Sequence, residues 1–314
     1  MSRFQLQIII PDDLSGKRLD QALAVLCPEH SRSRIQSWIK SGYVTVNQEN
    51  LKQRDEVYLG DKIEIDADIE TIDSYEAEDI ELDIIYSDKE IIIINKPAGL
   101  VVHPGAGNPK HTLVNALLNF DGSLEKIPRA GIIHRLDKDT TGIMVVARTL
   151  ESHTFLVNQL QQRNIKREYQ TVICGQLVSG GSIENKMGRH PVNRTKMAVT
   201  QTGKIATTHY KIIKKYQHYT HLHVQLETGR THQIRVHMSH IKHPIIGDPV
   251  YGNNKSIKKG TDSTLVEIIK NFRRQALHAF SLELPHPVNK QRIQFSADLP
   301  NDMTHLINAL NQYD

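Results

Sequence analysis

The chain has 314 residues, with 39 Lys and Arg against 35 Asp and Glu, a formal net charge of +4 and two cysteines. This length can bury a sizeable core without covalent cross-links, and Cys27 and Cys174 are too far apart for a C-x-x-C metal motif. No apolar run approaches the ~20 residues that span a bilayer, and an N-terminal stretch closed by Pro11 does not resemble a signal peptide. Composition therefore favours a globular cytoplasmic protein over secreted, membrane, fibrous or disordered classes.

The charge is distributed unevenly. Residues 1–50 carry a net charge of +1 and residues 51–90 one of −11, whereas the remaining 224 residues carry +14. A basic body of this size favours a polyanionic partner, with nucleic acid first.

The first 81 residues suggest a small module followed by an acidic segment. Apolar residues at helical spacing predict a helix over 19–26 that Pro28 ends. Ser31 is a candidate N-cap for a second helix over 32–40. Strands are predicted at 43–46 and 61–65. The acidic residues 66–81 lack large apolar side chains and predict a linker, with an exposed strand or helix edge as the alternative.

From residue 82 onward, short strands with interspersed helices predominate. The strands are predicted at 84–86, 91–94, 142–148, 169–174, 207–213, 222–226, 277–284 and 291–295. The helices are predicted at 112–118, 149–161 with Thr149 as its cap, 231–241 and 304–310. Because strands and helices do not alternate regularly, we expect an α+β fold whose mixed, mostly antiparallel sheet is flanked by helices.

Three segments are dense in residues that can carry chemistry. Residues 131–142 place carboxylates, cations, an imidazole and hydroxyls before a predicted buried strand, where active-site loops are often found. A kinase catalytic loop is excluded because no Asp follows His134-Arg135 and no Gly-rich loop or D-F-G motif is present. Residues 227–238 combine a loop arginine with a helical one, and residues 166–170 place a tyrosine on a strand. Taken separately, these segments also fit a charged turn, a surface ion pair and a core tyrosine.

Seven histidines between residues 218 and 243 raise the hypothesis of a metal site. The pattern His-Glu-x-x-His is absent, and within the predicted helix no two histidines stand four residues apart. We therefore expect no bound metal.

Several motifs together resemble the RluA-type ribosomal pseudouridine synthases. The motifs are HRLDKDTTG followed by IMVVART, then KREY, then LETGRTHQIRVHMSHIKHPIIGDPVYG, with IIINKPAGLVVHPG before them and RRQALHAFSLELPHP after them. GKRLDQALA and SRSRIQSWIKSGYVTVN resemble an S4 RNA-binding domain. The resemblance covers nearly the whole chain and implies an S4-like domain over 1–66, an acidic linker over 67–81 and a synthase domain over 82–314.

The resemblance also implies roles for four residues. Asp137 matches the catalytic aspartate, and Arg135 matches the arginine that fills the gap left by a flipped base. Tyr169 matches the tyrosine that stacks on the target ring, and Arg235 matches the basic residue that pairs with the aspartate. The implied reaction converts uridines of large-subunit (23S) rRNA to pseudouridine and needs no cofactor, and we expect a monomer. RNA binding by the S4-like domain is expected from a local face of Lys17, Arg18, Arg32, Arg34 and Lys40.

Two alternatives stay open. A catalytically inactive RNA-binding ribosome-assembly factor would share the fold, although the intact Asp137, Tyr169 and Arg235 argue against it. A synthase acting on other rRNA or tRNA uridines would share the residues as well. The sequence also does not choose between a covalent acylal intermediate and a glycal route.

Overall fold

A computed structural model describes residues 2–27, 32–69, 75–105, 107–252, 257 and 260–314. The chain divides into two compact units, Met1–Ser74 and Tyr75–Asp314.

The first unit packs two helices with short strands. Its elements are β1 (Ser2–Ile9), β2 (Lys17–Arg18), α1 (Leu19–Leu26), α2 (Arg32–Lys40), β3 (Val44–Val46), β4 (Glu56–Val57) and β5 (Lys62–Ile69). Both helices have their predicted bounds, whereas the predicted helix stop at Pro28 and the predicted cap at Ser31 lie outside the described residues. Strand β5 pairs antiparallel with β3 on one edge and with β1, which the sequence analysis did not predict, on the other.

A buried carboxylate ties the two helices of this unit together. Asp20 on α1 is fully buried and accepts hydrogen bonds from Arg18, Arg32 and Gln36, with shortest distances of 3.1, 2.7 and 2.7 Å. Burial raises the pKa of Asp20, but the hydrogen bonds from Arg32 and Gln36 outweigh it, so that the pKa lies below its ordinary value. Two arginines of the expected RNA-binding face are therefore engaged with this carboxylate.

The segment predicted as a linker contributes to both units. Strand β5 continues to Ile69, and the described residues from Tyr75 belong to the second unit. There the Asn115 side chain donates to the carbonyl of Glu76 at 2.8 Å. The predicted domain limits of 1–66, 67–81 and 82–314 stay a prediction, since the compact units divide between residues 74 and 75.

The second unit is built on one large sheet. Its strands are β6 (Ile84–Ser87), β7 (Ile91–Lys96), β8 (Thr141–Ala147), β9 (Lys166–Cys174), β10 (Gly181–Arg189), β11 (Met197–Val199), β12 (Lys204–Lys215), β13 (Tyr219–Leu226), β14 (Leu277–Pro285) and β15 (Arg292–Ser296). Its helices are α3 (Leu113–Phe120), α4 (Leu150–Gln161), α5 (Gln233–His240), α6 (Ser263–Asn271) and α7 (Asn301–Tyr313). The hydroxyl of Thr149 accepts from the amide of Ser152 and caps α4 as predicted.

The strand order is β11-β10-β12-β13-β9-β14-β8-β7-β6, with β15 paired to β14. Among the described pairs, β14 and β8 run parallel and the others antiparallel. The predicted α+β class with a mixed, mostly antiparallel sheet is thereby confirmed. Strands β10 and β11 and helix α6 were not predicted.

Both faces of the central strands are covered. On β7, Ile92 and Ile94 belong to a core that includes residues of α3, α5, α6 and α7, whereas Ile91 and Ile93 belong to a second core with Leu156 of α4. Because alternate residues of a strand point to opposite faces, burial on both sides explains the unbroken run of four isoleucines.

Candidate active site

The loop that carries Asp137 enters the fully buried strand β8 and is held by its own backbone. The amide of Thr140 donates to the carbonyl of Asp137 at 3.1 Å. The buried Lys96 donates from Nζ to the carbonyls of Pro97, Leu100 and Lys138 at 2.7 to 2.9 Å. Burial lowers the pKa of Lys96 to about 7, although Asp139 and Asp137 oppose this shift. These bonds fix the backbone on the C-terminal side of the carboxylate.

Gly142 lets β8 and β14 approach closely beside this loop. Its φ is +114°, and a Cβ atom built there would lie 2.1 Å from the carbonyl oxygen of Ala279, so that a larger residue would push the strands apart. The neighbouring Thr141 hydroxyl lies 2.8 Å from Nδ1 of His278 on β14. The loop is thus anchored to a strand that lies more than 130 positions later.

Arg235, in the first turns of α5, joins two carboxylates. Its Nη1 donates to Oδ2 of Asp137 at 2.9 Å, while its Nε and Nη2 donate to Asp248 at 2.7 and 2.9 Å. Asp248 also accepts from the amides of Val250 and Tyr251 at 2.8 and 2.9 Å. Burial raises the pKa of Asp248, but the hydrogen bond and charge of Arg235 outweigh it and hold the pKa below its ordinary value. Arg235 is therefore a fixed cation beside Asp137.

The two carboxylates differ in their access to solvent. The side chain of Asp248 is 0% exposed and that of Arg235 is 5% exposed, whereas that of Asp137 is 18% exposed. Asp248 therefore has its oxygen atoms occupied, while Asp137 keeps acceptor capacity that faces open space.

His232 and Tyr251 complete the surroundings of Asp137. His232 Nε2 lies 3.8 Å from Oδ1 of Asp137, and His232 Nδ1 lies 2.8 Å from the Tyr251 hydroxyl. The amide of Met197 donates to that hydroxyl at 2.9 Å. The ring of Tyr251 lies 5.1 Å from the guanidinium carbon of Arg235, within cation–π distance. His232 adopts a left-handed backbone conformation with φ of 57° and takes the N-cap position of α5, one residue after the start of the helix predicted over 231–241.

The exposed side of Asp137 opens into a cavity of about 780 Å³. Arg135, an exposed residue of the same loop, and Tyr169, which is 6% exposed on β9, also line it. Burial raises the pKa of Tyr169 above its ordinary value. Among the described lining residues, two are acidic, Asp137 and Glu227, and six are arginines: Arg129, Arg135, Arg163, Arg167, Arg230 and Arg235. The cavity is therefore strongly basic and suited to an anionic ligand.

All four residues singled out from the sequence line this one cavity. Asp137 and Arg235 are in contact, as the resemblance implied. Arg135 makes no ion pair among the described residues, so that its guanidinium is available. The roles of the four residues stay predictions.

Sequence reasoning missed Asp248, Tyr251 and His232. Asp248 and Tyr251 occur in the GDPVYG string, where an acid after a glycine turn follows the apolar pair Ile245-Ile246. That juxtaposition was the available signal for a buried carboxylate.

Neither a metal centre nor a membrane span emerges from the residues that the structure describes. Among them, no group of three or more His, Cys, Asp or Glu side chains is arranged to hold a metal ion. None of the helices in the described ranges is long and apolar enough to cross a membrane.

Comparison with known proteins gives concordant results. Residues 17–63 match the family model of the S4 domain, and residues 90–240 match that of RNA pseudouridylate synthase. Ribosomal large subunit pseudouridine synthase D of Pseudomonas aeruginosa is 51% identical over 96% of this chain and 95% of its own length. The protein of the same name from Escherichia coli K12 is 49% identical over 98% of this chain and 95% of its own length.

Solved structures show the same fold. Human RNA Pseudouridylate Synthase Domain Containing 4 has a TM-score of 0.57 and 24% identity, with 73% of this chain and 92% of that chain covered. Human RNA Pseudouridylate Synthase Domain Containing 1 has a TM-score of 0.55 and 20% identity, with 75% and 96% covered. The near-complete coverage by relatives of about half-identical sequence shows that this chain belongs to the RNA pseudouridylate synthase family and carries an S4 domain ahead of the synthase domain.

Proposed function

We infer that this protein converts uridines of large-subunit rRNA to pseudouridine and that Asp137 is its catalytic aspartate. The carrying observation is the contact between Asp137 and Arg235 at the wall of a basic cavity, with one face of the carboxylate open. The names of the curated relatives supply the substrate class.

The geometry is consistent with attack on the sugar. A carboxylate nucleophile must be ionised, and a guanidinium 2.9 Å away favours the charged form and orients it. Because Asp248 holds the other side of Arg235, the cation keeps its position as the charge of Asp137 changes. Asp137 would act at the C1′ or C2′ side of the ribose, by the acylal or the glycal route.

The cavity also fits a base removed from its stack. Extruding a nucleotide costs a few kcal/mol, and stacking on an aromatic ring recovers about 1 to 3 kcal/mol. Tyr169 offers such a ring in the cavity wall, while the exposed Arg135 can enter the vacated position in the RNA. The ring then reattaches through C5 without any redox change, so that the reaction needs no cofactor.

Basic surfaces support an RNA substrate. Residues 185–226 contain eight Lys and Arg and no Asp or Glu. Strands β10 and β11 end in an exposed hairpin within this stretch, and Met197 of β11 bonds to Tyr251 beside the active site. We also expect the protein to be cytoplasmic and monomeric. Sedimentation of the purified protein would check the monomeric state.

The substitution Asp137→Asn tests this function. It removes the nucleophile while preserving shape, so we expect tritium release from [5-³H]uridine-labelled 23S rRNA transcript to fall by about 10⁴-fold or more, with RNA affinity retained. Asp139→Asn, two residues away and without an assigned role, is the matched control. Residual turnover of Asp137→Asn near the wild-type rate would reject the assignment, and an inactive wild-type protein would favour the assembly-factor alternative.

The substrate uridines require a separate experiment. Pseudouridines would be mapped in rRNA and tRNA from a strain that lacks the gene. Loss confined to large-subunit rRNA is the expected result, whereas loss in tRNA or small-subunit rRNA would contradict the substrate class.

A further inference from the structure

Arg167 is a buried cation with no carboxylate partner in the described part of the chain. Its side chain is 6% exposed, and among the described residues no carboxylate lies within ion-pair distance of it. Within the described ranges its Nε has no hydrogen-bond partner, and Nη2 makes one long contact, 3.4 Å to the carbonyl of Glu227. A guanidinium in this position is costly to bury, because burial removes its hydration and nothing here neutralises it.

The other buried arginines are paired. Arg235 binds Asp137 and Asp248, and Arg274 binds Asp302 through two bonds of 2.6 and 2.7 Å. Burial therefore does not by itself prevent an arginine of this protein from pairing with a carboxylate. The unused donor of Arg167 therefore calls for a ligand.

The position of Arg167 indicates where that ligand lies. On β9, Arg167 and Tyr169 are both buried while the residues beside them are more exposed, so both side chains point to the same face of the sheet. Both line the cavity that contains Asp137. After burial, which raises the pKa of Tyr169, the charges of Arg167 and Asp137 have the next largest effects on it. The phenol thus lies within reach of both charges.

The loop before α5 is shaped around this guanidinium. A Cβ atom built on Gly229 would lie 2.5 Å from Nη1 of Arg167. A residue with a side chain at position 229 would therefore displace the end of Arg167. The absence of a side chain at this position allows the guanidinium to lie against the loop.

We propose that Arg167 binds an oxygen atom of the target pyrimidine and stabilises the negative charge that the ring carries after its bond to the sugar breaks. The proposal rests on the proposed function, since it names a binding residue for the same reaction. In either route the C1′–N1 electron pair stays on the ring, whose charge is shared by N1, O2 and O4. In the acylal route a bond from Asp137 to C1′ replaces the C1′–N1 bond and breaks again as a ring electron pair forms the C5–C1′ bond. In the glycal route Asp137 takes a proton from C2′ and returns it when the C5–C1′ bond forms. In both routes C5 then loses its proton and N1 gains one.

A base oxygen suits this donor better than a phosphate group. The guanidinium is almost entirely enclosed and lies near the aromatic side chain that would stack on the base. Phosphate contacts are usually made by exposed cations. Arg135 is such a cation on the cavity rim and makes no ion pair among the described residues.

The test compares Arg167→Gln with Lys166→Gln, which removes the neighbouring exposed cation on the opposite face of β9. With saturating enzyme and labelled 23S rRNA transcript, Arg167→Gln should lower the single-turnover rate of tritium release by about 10²- to 10³-fold. Its RNA Kd should stay within about twofold of wild type, and Lys166→Gln should resemble wild type. An unchanged rate would overturn the proposal. A weaker Kd with a smaller salt dependence and an unchanged saturated rate would also overturn it, in favour of a phosphate contact.

Chemical rescue separates charge from packing. Activity of Arg167→Ala should recover in part with millimolar guanidinium chloride, but not with urea of the same shape or with sodium chloride. Equal recovery with urea would mean that Arg167 only fills space. If the Arg167 variants do not fold, Gly229→Ala retains the arginine but displaces its end, and should lower the rate by at least about tenfold; a wild-type rate would overturn the proposal.

The two proposals fail separately. An inactive wild-type protein rejects the proposed function. Wild-type activity with an unaffected Arg167→Gln variant rejects only the role of Arg167.

Discussion

Each compact unit contains an aspartate held by arginine, and the two aspartates differ in how much of each carboxylate is left free. Asp20 in the first unit is 0% exposed and accepts five hydrogen bonds from Arg18, Arg32 and Gln36. Asp137 in the second unit is 18% exposed, and among the described residues its side chain accepts one hydrogen bond, from Arg235. An ionised carboxylate has about four acceptor sites. Asp20 is therefore saturated, whereas Asp137 has acceptor sites left for a substrate.

This difference separates structural from reactive carboxylates more clearly than charge or burial alone. Asp248 belongs with Asp20, since it is 0% exposed and fully hydrogen-bonded although it lies beside the active site. Saturated carboxylates should contribute mainly to the free energy of unfolding. The unsaturated one should contribute mainly to the reaction rate.

Asp248→Asn should give the largest loss of stability. The buried Arg235 then keeps only one of its two carboxylate partners, Asp137. The free energy of unfolding should therefore fall by about 3 to 5 kcal/mol. Denaturant titration measures this loss. Asp302→Asn is the matched control, because the Asp302 side chain is 47% exposed and its loss should be smaller. A larger loss for Asp302→Asn would contradict the expectation that the buried Asp248 contributes more to stability than the exposed Asp302.

The loss of stability in Asp248→Asn should also depend on pH. The pKa of Asp248 is held below its ordinary value of 3.8. Because the folded state binds this proton less readily than the unfolded state, the stabilisation is present above about pH 4 and is lost as the pH falls through the lowered pKa. The difference between wild type and Asp248→Asn should therefore shrink in acid, and a constant difference would contradict the assignment.

Asp20→Asn should have a smaller effect that is confined to the first unit. Arg18 and Arg32 are 36% and 48% exposed and can regain water, so we expect a loss of about 2 kcal/mol. Hydrogen exchange in the full chain should quicken in α1 and α2, while the saturated rate of tritium release stays unchanged. A slower saturated rate would show that Asp20 influences the reaction.

We expect the smallest effect from exposed arginines, which belong neither to the saturated nor to the unsaturated carboxylates. Replacing Arg189 and Arg194 of the exposed β10–β11 hairpin by Gln should weaken RNA binding by several-fold and reduce its salt dependence, with stability and saturated rate unchanged. Glu151→Gln, which removes an exposed charge on α4, is the control. Unchanged affinity would remove this hairpin from the RNA-binding surface.

Much of the fold was predictable because local patterns agree with the tertiary structure. The buried run of β8 and the cap at Thr149 are both local signals, and both agree with the structure. Strand β1 was missed although Phe4, Leu6 and Ile8 alternate with polar residues, because a terminal strand depends on its partner β5. Helix α6, which was not predicted, carries its own cap at Asp262, which is a local signal for a helix start.

The site was predictable only in part. The resemblance selected Asp137 and Arg235, and the structure places them in contact. It did not select Asp248, because only the fold brings this carboxylate to Arg235, although its bonds from Val250 and Tyr251 are local. The string KREY likewise gives no sign that Arg167 lacks a carboxylate partner among the described residues, since Glu168 stands next to it in the chain.

The parallel pairing of β8 with β14 has a consequence for the order of synthesis. Strand β14 lies between β8 and β9, which were made more than 100 residues earlier, and the loop of Asp137 is anchored to it through Thr141 and Gly142. A nascent chain that ends before residue 277 therefore lacks the strand that joins these two parts of the sheet. Because domains are translated from the N-terminus, the first unit is complete and can reach RNA while the catalytic loop is still unsupported. The catalytic loop therefore gains this support only when the last eighth of the chain, which begins with β14, has been translated.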